Sequence, residues 1–389
     1  MEFSVKKRLL CLTPAFVWQK RSWAVLGLLL LVGVSPSRAE PLTGLFEATL
    51  PVMTQDASER KVAFEMGLID VLIKNTGILQ IATRSNINEM LADSETLVAR
   101  YVYRTASEDA TSLAPLHLNM VFDADAVRAR LDALALPYWP AERPPVIVWL
   151  VIDQPTGRRL VGRDDPLSAP WRDLMQRHAA RRGVNLVFPQ LDEADWAKVQ
   201  ISDVWGGFTA PVQSASQRYG ASQILTGVVN LRPDLPPSQR LNRWNFRTDF
   251  DQQAWSDSQS DARVSLEEAI DRVMASQGQY YTIRPGAQGQ NQITLLFSGI
   301  RQPVQYARLQ TFLSAQSGVS RLTLLLQEGD RSFFQVTLAG QVDVFFSALR
   351  NATFLRELAS GAPESNELSV LPGLATEREI KRYHYEEGR

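Results

Sequence analysis

Two stretches of the chain are apolar almost without interruption: Val146-Ile147-Val148-Trp149-Leu150-Val151-Ile152, and Ile224-Leu225-Thr226-Gly227-Val228-Val229. Runs of this length predict strands buried on both faces. Between them the spacing predicts a helix over 167–182, a short strand over 184–188 and a second helix over 208–219 that stops at Gly220. Strand, helix, strand, helix, strand is the order of an α/β layer. After the turn 232–237 a strand over 241–250 extends its sheet, and the polar stretch 251–260 is either an irregular loop or a hairpin partner.

Upstream, 45–52 alternates as a strand, and 58–74 carries apolar residues at helical spacing that ends at Asn75-Thr76-Gly77. A short helix over 85–92, strands over 97–104 and 116–122, and a helix over 126–134 capped by Asp123 complete an α+β unit. Pro137, Pro140, Pro144 and Pro145 then crowd a stretch that reads as a boundary or stiff connector. Downstream, a helix over 265–276 and a strand over 280–283 precede a Gly-rich break at 285–290. Beyond it lie a strand (293–297), a helix (303–314), two strands (319–327 and 332–338) joined at Glu328-Gly329-Asp330, a helix (342–349) and a last strand (368–371). That order is βαββαβ, the ferredoxin-like arrangement. The charged segment 376–389 reads as loose. The predicted domains are therefore 40–140 (α+β), 145–250 (α/β) and 262–372 (ferredoxin-like), with a flexible tail over 373–389.

The first 39 residues change the compartment and the charge. Lys6, Lys7, Arg8, Lys20 and Arg21 precede or enter an apolar run over 24–34, and Ser37-Arg38-Ala39 offers small residues where a signal peptidase cuts. We expect a cleavable signal peptide over 1–39, a mature chain beginning at Glu40 and a periplasmic location, with membrane contact only during export. The run is short against the roughly 20 residues that span a bilayer. Cleavage removes six of 41 positive residues and one of 42 negative ones, leaving 35 and 41, net −6. An acidic chain of this kind is a poor ligand for nucleic acid. The sole cysteine, Cys11, lies in the removed segment, so a core rather than disulfides must stabilise the mature chain.

Chemistry is sparse. The histidines are His117, His178 and His384. His178 shares a helix face with Trp171, Leu174 and Met175 and reads as a packing residue. No nucleophile elbow, P-loop, H-E-x-x-H or dinucleotide fingerprint occurs. No cofactor or metal is expected, since three scattered histidines and no mature cysteine leave few ligands. Asp164-Asp165 follows a strand where open α/β sheets bind ligands, but an adjacent pair diverges, whereas glycosidase carboxylates stand about 5 to 9.5 Å apart. Capping of the next helix by Asp165 is the expected role, and Glu267-Glu268 and Glu386-Glu387 read as solvated. Seven mature tryptophans are dispersed at mostly apolar positions, which points to packing. The candidate partner-binding residues are Asp203, Trp205, Gly206 and Gly207. Two glycines ahead of a helix predict an open turn whose amides can receive an anion; a structural loop with Trp205 as its plug is the competing reading.

Several segments resemble, in order, an uncharacterised exported proteobacterial family, domain of unknown function two-thousand-sixty-six. They are Leu45-Phe46-Glu47-Ala48-Thr49-Leu50-Pro51-Val52, Asp70-Val71-Leu72-Ile73-Lys74-Asn75-Thr76-Gly77, Leu136-Pro137-Tyr138-Trp139 leading to Val148-Trp149-Leu150, Asp203-Val204-Trp205-Gly206-Gly207-Phe208, and Arg218-Tyr219-Gly220-Ala221 before Thr226-Gly227. That resemblance implies export and brings no activity or catalytic residues. The pattern around Gly220 is also similar in topology to amino-terminal domains of the Tol-Pal translocation protein and the curli secretion lipoprotein, which implies assembly and partner contact. The resulting expectation is a non-catalytic envelope adaptor or assembly protein that holds an envelope protein or cell-wall component. The alternative is a hydrolase or transferase using acidic residues on envelope saccharide or peptide.

Overall fold

The computed structural model describes residues 42–105, 114–283, 291–316, 318–359 and 380–386; the predicted signal peptide, the break at 285–290 and the strand expected at 368–371 lie outside these. The fold is mixed α/β, with three sheets and ten α-helices among the described residues. None of those helices is long and apolar enough to cross a membrane.

The first sheet comprises β1 (Glu47–Val52), β2 (Val98–Thr105) and β3 (Leu116–Phe122), antiparallel in the order β1-β3-β2. Alternation along β1 buries Ala48, Leu50 and Val52. They pack beneath α1 (Ala57–Thr76), and Gly67 permits the close approach: a Cβ there would meet Met120 Cε at 2.7 Å. Gly77, at φ 66°, terminates α1 through its N–H bond to the Ile73 carbonyl. Short α2 (Asn88–Ala92) follows α1, and α3 (Ala124–Ala133) follows β3. The carboxylate of Asp123 accepts from the amides of Asp125 and Ala126, which is the expected cap.

The second sheet is built on β4 (Val146–Gln154), in which every residue from Val146 to Asp153 is buried. It pairs antiparallel with β5 (Gly157–Leu160). After α4 (Ala169–Arg182) the chain returns as β6 (Leu186–Val187), parallel to β4. Three short helices, α5 (Glu193–Trp196), α6 (Ile201–Gly206) and α7 (Thr209–Ser216), lead to β7 (Gln223–Asn230), which lies parallel to β4 on its other side. Then β8 (Asn242–Arg247) and β9 (Gln252–Asp257) form an antiparallel hairpin, so the polar stretch is the hairpin partner rather than a loop. Helix α8 (Ala262–Tyr281) covers the sheet beside α4. It occupies the residues expected as a strand from 280, and only Ile283 bridges, to Tyr138.

Two boundaries differ from the sequence reading. The proline-rich stretch, expected as a boundary or stiff connector, is part of a continuous core: Leu136, Trp139 and Arg143 are buried in it, and one apolar core runs from Ala48 through Trp139 and Val148 to Met274. Prolines excluded helix and strand there but not burial. Helix α8, expected to open the carboxyl-terminal unit, contributes Leu266, Ile270 and Val273 to that same core.

The third sheet has its own core. It runs β10 (Asn291–Ser298), α9 (Pro303–Ser314), β11 (Val319–Glu328), β12 (Arg331–Leu338), α10 (Val342–Asn351), β13 (Leu355–Glu357) and β14 (Lys381–Tyr385), in the sheet order β11-β12-β10-β14-β13. The described succession through β13 is βαββαβ, but its last strand is 355–357, and the one expected at 368–371 lies outside the described residues. The expected ferredoxin-like sheet is altered, however, because β14 lies parallel to β10 and separates it from β13. The segment read as a flexible tail thus supplies an interior strand. Tyr383 is 1% exposed and stacks on Phe297 at 5.6 Å, apolar burial that the local charge concealed.

Candidate functional site

Asp203, Trp205 and Gly206 lie within α6, not in an open turn, and Gly207 at φ 77° ends that helix. The amides of Gly207 and Phe208 donate to the carbonyls of Val204 and Asp203, a Schellman closure. Those amides are therefore spent, and the anion-receiving turn expected from Gly206-Gly207 is not formed. One Asp203 oxygen accepts the Gln200 N–H at 2.7 Å, fixing the start of α6.

What the segment builds instead is a corner over the sheet. Beneath it, alternation in β8 turns Trp244 and Phe246 into the core and leaves Arg243, Asn245 and Arg247 on the opposite face. An open cleft of about 120 Å³ lies between α6–α7 and the β8–β9 hairpin. Val204, Val212 and Ile224 supply its apolar lining, Phe208 its wall, and Asn245, Arg247, Gln213 and Gln252 its polar rim. The ring of Phe208 is 59% exposed and rests on Gly206, where a Cβ would approach Phe208 Cε2 at 2.7 Å. Among the described residues, the side chains of Arg247, Asn245, Gln213 and Gln252 have no hydrogen-bond or ion-pair partner. A guanidinium and three amides converging on an apolar cleft, none satisfied internally, are suited to an oxygen-rich anionic or amide group.

The four candidates are thus divided. Asp203 and Gly207 line the cleft, Gly206 seats the Phe208 ring, and Trp205, outside the cleft lining, contacts Arg243 of β8. Its ring is held between Arg158 at 3.9 Å and Arg243 at 5.2 Å, and its carbonyl accepts from Arg243 Nη2 at 2.7 Å. Trp205 is half-buried, neither a free contact residue nor a fully enclosed plug. The sequence reading missed Arg247, Asn245 and Phe208; the polar alternation of 243, 245 and 247 against Trp244 and Phe246 was the available signal.

Other expected chemistry is committed elsewhere. His178 is buried, and its Nε2 lies 2.8 Å from Asp271 Oδ1, which also accepts from Arg182 Nε at 2.6 Å. Burial pushes the Asp271 carboxyl upward, but the hydrogen bonds from His178 and Arg182 outweigh it and hold the group below its ordinary range. This cluster ties α4 to α8. Asp165 accepts from the Leu167 amide at 3.0 Å and pairs with Arg159, a turn ahead of α4 rather than its cap, which falls to Ser168. His117 sits in β3 and His384 in β14, where its Nδ1 lies 3.0 Å from Ser298 Oγ, so the three histidines do not converge. Among the described residues, no three His, Cys, Asp or Glu side chains are grouped to hold a metal ion.

Residues 39–140, the first sheet and its helices, match the family described as Domain of unknown function (DUF8605). The cleft lies outside the matched residues. A comparison with curated proteins found no match to the chain.

Proposed function

We propose that the mature chain is an exported periplasmic protein that holds an envelope partner without transforming it, and that the α6–α7 corner is a contact site. The basic region, apolar run and Ser37-Arg38-Ala39 support export. The observation that carries the contact reading is Arg247, unpaired among the described residues, with Asn245, Gln213 and Gln252 around a cleft of about 120 Å³. Ligand pockets for whole small molecules run to about 300–1,000 Å³, so this one admits a single side chain or terminal group of a larger partner. Asp203 is the one carboxylate among its lining residues and already accepts from Gln200, whereas acid-base hydrolysis of a glycoside uses two. The partner is an envelope protein or wall component presenting a carboxylate or amide beside an apolar surface that covers Phe208.

The test is crosslinking capture from intact periplasm with the wild-type chain, Arg247→Ala and Phe208→Ala, alongside urea unfolding of the same preparations. Both residues are spared by the core, so the midpoints should hold while recovery of one defined partner falls for both variants. Recovery unchanged in both, or loss only in step with stability, refutes the contact site. Mass spectrometry of the envelope fraction should find a chain starting at Glu40; a full-length cytosolic product would refute export.

A further inference from the structure

The first sheet ends on a strand edge that the cleft does not involve. Strand β2 is eight residues long, pairs with β3 along one side and borders no strand on the other among the described residues. Such an edge offers unpaired N–H and C=O groups on every second residue. Other edges are blunted. β1 carries Pro51, β11 is broken by two register shifts, β5 and β13 are four and three residues long, and β9 is polar apart from Ala254 and the inward Trp255. In β2 the one irregularity lies at its start, between Val98 and Arg100.

The side chains flanking this edge have a sign and a spacing. On the outer face Arg100, Val102 and Arg104 alternate, Val102 being 53% exposed. Their neighbours across β3 are Val121, Asn119 and His117, none of them acidic. Neither arginine has an ion-pair partner among the described residues. Four residues of strand put the two guanidinium stems about 13 Å apart. On the inner face Tyr101, 43% exposed, packs on Phe64, and the Arg60 guanidinium lies 5.6 Å from its ring centroid. The edge is therefore apolar at its middle and positive at three places around it.

We propose that β2 binds an extended acidic segment of a partner protein as an added strand, reading the pattern acidic-x-apolar-x-acidic. Main-chain pairing supplies adhesion and the alternate side chains supply choice. An acid opposite each of Arg100 and Arg104 lies about 5 Å away in a paired strand, with an apolar residue on Val102 between them. A second copy of this chain is a poorer occupant, because antiparallel self-pairing centred on Val102 sets Arg100 against Arg104, and like charges directly opposite destabilise. The arginines also serve as gatekeepers against that pairing, a role compatible with selecting the opposite charge.

The experiment titrates the mature chain by calorimetry with the blocked peptide Thr-Glu-Thr-Val-Thr-Glu-Thr. Comparison peptides carry Lys for both Glu, or N-methyl groups at the odd or the even positions. Pairing along one edge predicts that one N-methylated form fails and the other binds. Exposed Arg100 and Arg104 can be reversed without emptying the core, so Arg100→Glu with Arg104→Glu should weaken the Glu peptide about tenfold and restore binding of the Lys peptide. No binding of the Glu peptide, equal binding of Glu and Lys peptides, equal binding of the two N-methylated forms, or sedimentation as a β2-dependent dimer would each overturn the proposal.

Discussion

Arg143 should be among the costliest residues of the chain to replace. It is fully buried, with no carboxylate partner among the described residues. Its Nε donates to the Pro140 carbonyl at 3.0 Å, Nη2 to the Lys74 and Trp139 carbonyls at 2.6 and 3.3 Å, and Nη1 to the Gly183 carbonyl. Lys74 lies in the last turn of α1 and Gly183 follows α4, so one guanidinium closes two helices at their negative ends. It also stacks 3.8 Å from the Trp139 ring centroid. Burial pushes its pKa down, to about 9, which leaves it charged at neutral pH. Arg143→Met keeps the bulk and donates nothing. Each orphaned carbonyl costs about 1–3 kcal/mol, and relief of the cation's desolvation offsets part of that, so the net loss should be about 3 kcal/mol. Arg143→Lys should fall near the Met variant, because a compact ammonium lacks the planar fork whose separate nitrogens reach the Lys74 and Gly183 carbonyls. Urea unfolding reads the loss as a lower midpoint. A loss below about 1 kcal/mol for Met, within the range of ordinary surface changes, would refute the double closure.

Three further outcomes follow from single sites. Burial lowers the Lys74 pKa from 10.5 to about 8, so between those values the unfolded chain holds a proton the folded chain has released, and stability rises with pH. Lys74→Met should reduce that rise in urea midpoints taken across the window, leaving the part above about 9 that buried Arg143 supplies; above the window, Tyr219 and Tyr281, each pushed up to about 12 chiefly by burial, turn the trend downward. Gly207→Ala meets no atom within 4 Å but must keep φ 77°, so it should cost about 1 kcal/mol, whereas half-buried Trp205→Ala should fall short of the 3 to 5 kcal/mol typical of an emptied core; equal losses would contradict the geometry. Tyr383→Phe removes a buried hydroxyl that has no partner among the described residues, so its midpoint should hold or rise, and a fall of more than about 1 kcal/mol would reveal a hidden hydrogen bond.

Elements with a full period were legible. Residues 303–314 begin at a proline and run three turns, and the helix Pro303–Ser314 has those limits. The run 146–152 is so apolar that only a strand covered on both faces accommodates it, as β4 is. Segments shorter than a period were not. α5 and α6 span four and six residues, less than two turns, so 203–207 appeared as a loop when it is a helix and its cap. In β14, Tyr383 and Tyr385 alternate inward, but Lys381, Arg382 and His384 dominate the composition. The cleft was illegible for another reason: Arg247 and Gln252 are register partners in the β8–β9 hairpin, but Phe208 joins them only through the packing of the α6–α7 corner against the sheet, which no local pattern encodes.

The limit of the matched family at residue 140 does not coincide with a limit of the core. Trp139, fully buried, donates its amide to the Asn75 carbonyl at 2.6 Å and stacks beneath Arg143, which reaches across to Gly183. Gly77 and Gly278 meet backbone to backbone, since a Cβ on Gly77 would stand 2.8 Å from the Gly278 Cα, so α1 and α8 touch where no side chain fits. Removing everything beyond 140 would strip the carbonyl of Lys74 of the Arg143 donor and uncover the face of Trp139 on which that guanidinium stacks. In this chain the surface that covers the matched unit comes in part from α4 and α8. Residues 39–140 thus depend on the elements of the second sheet for stability, while β2 stands at the opposite edge of the first sheet from β1. The packed side holds the unit in place, and the open strand is the side left for a partner.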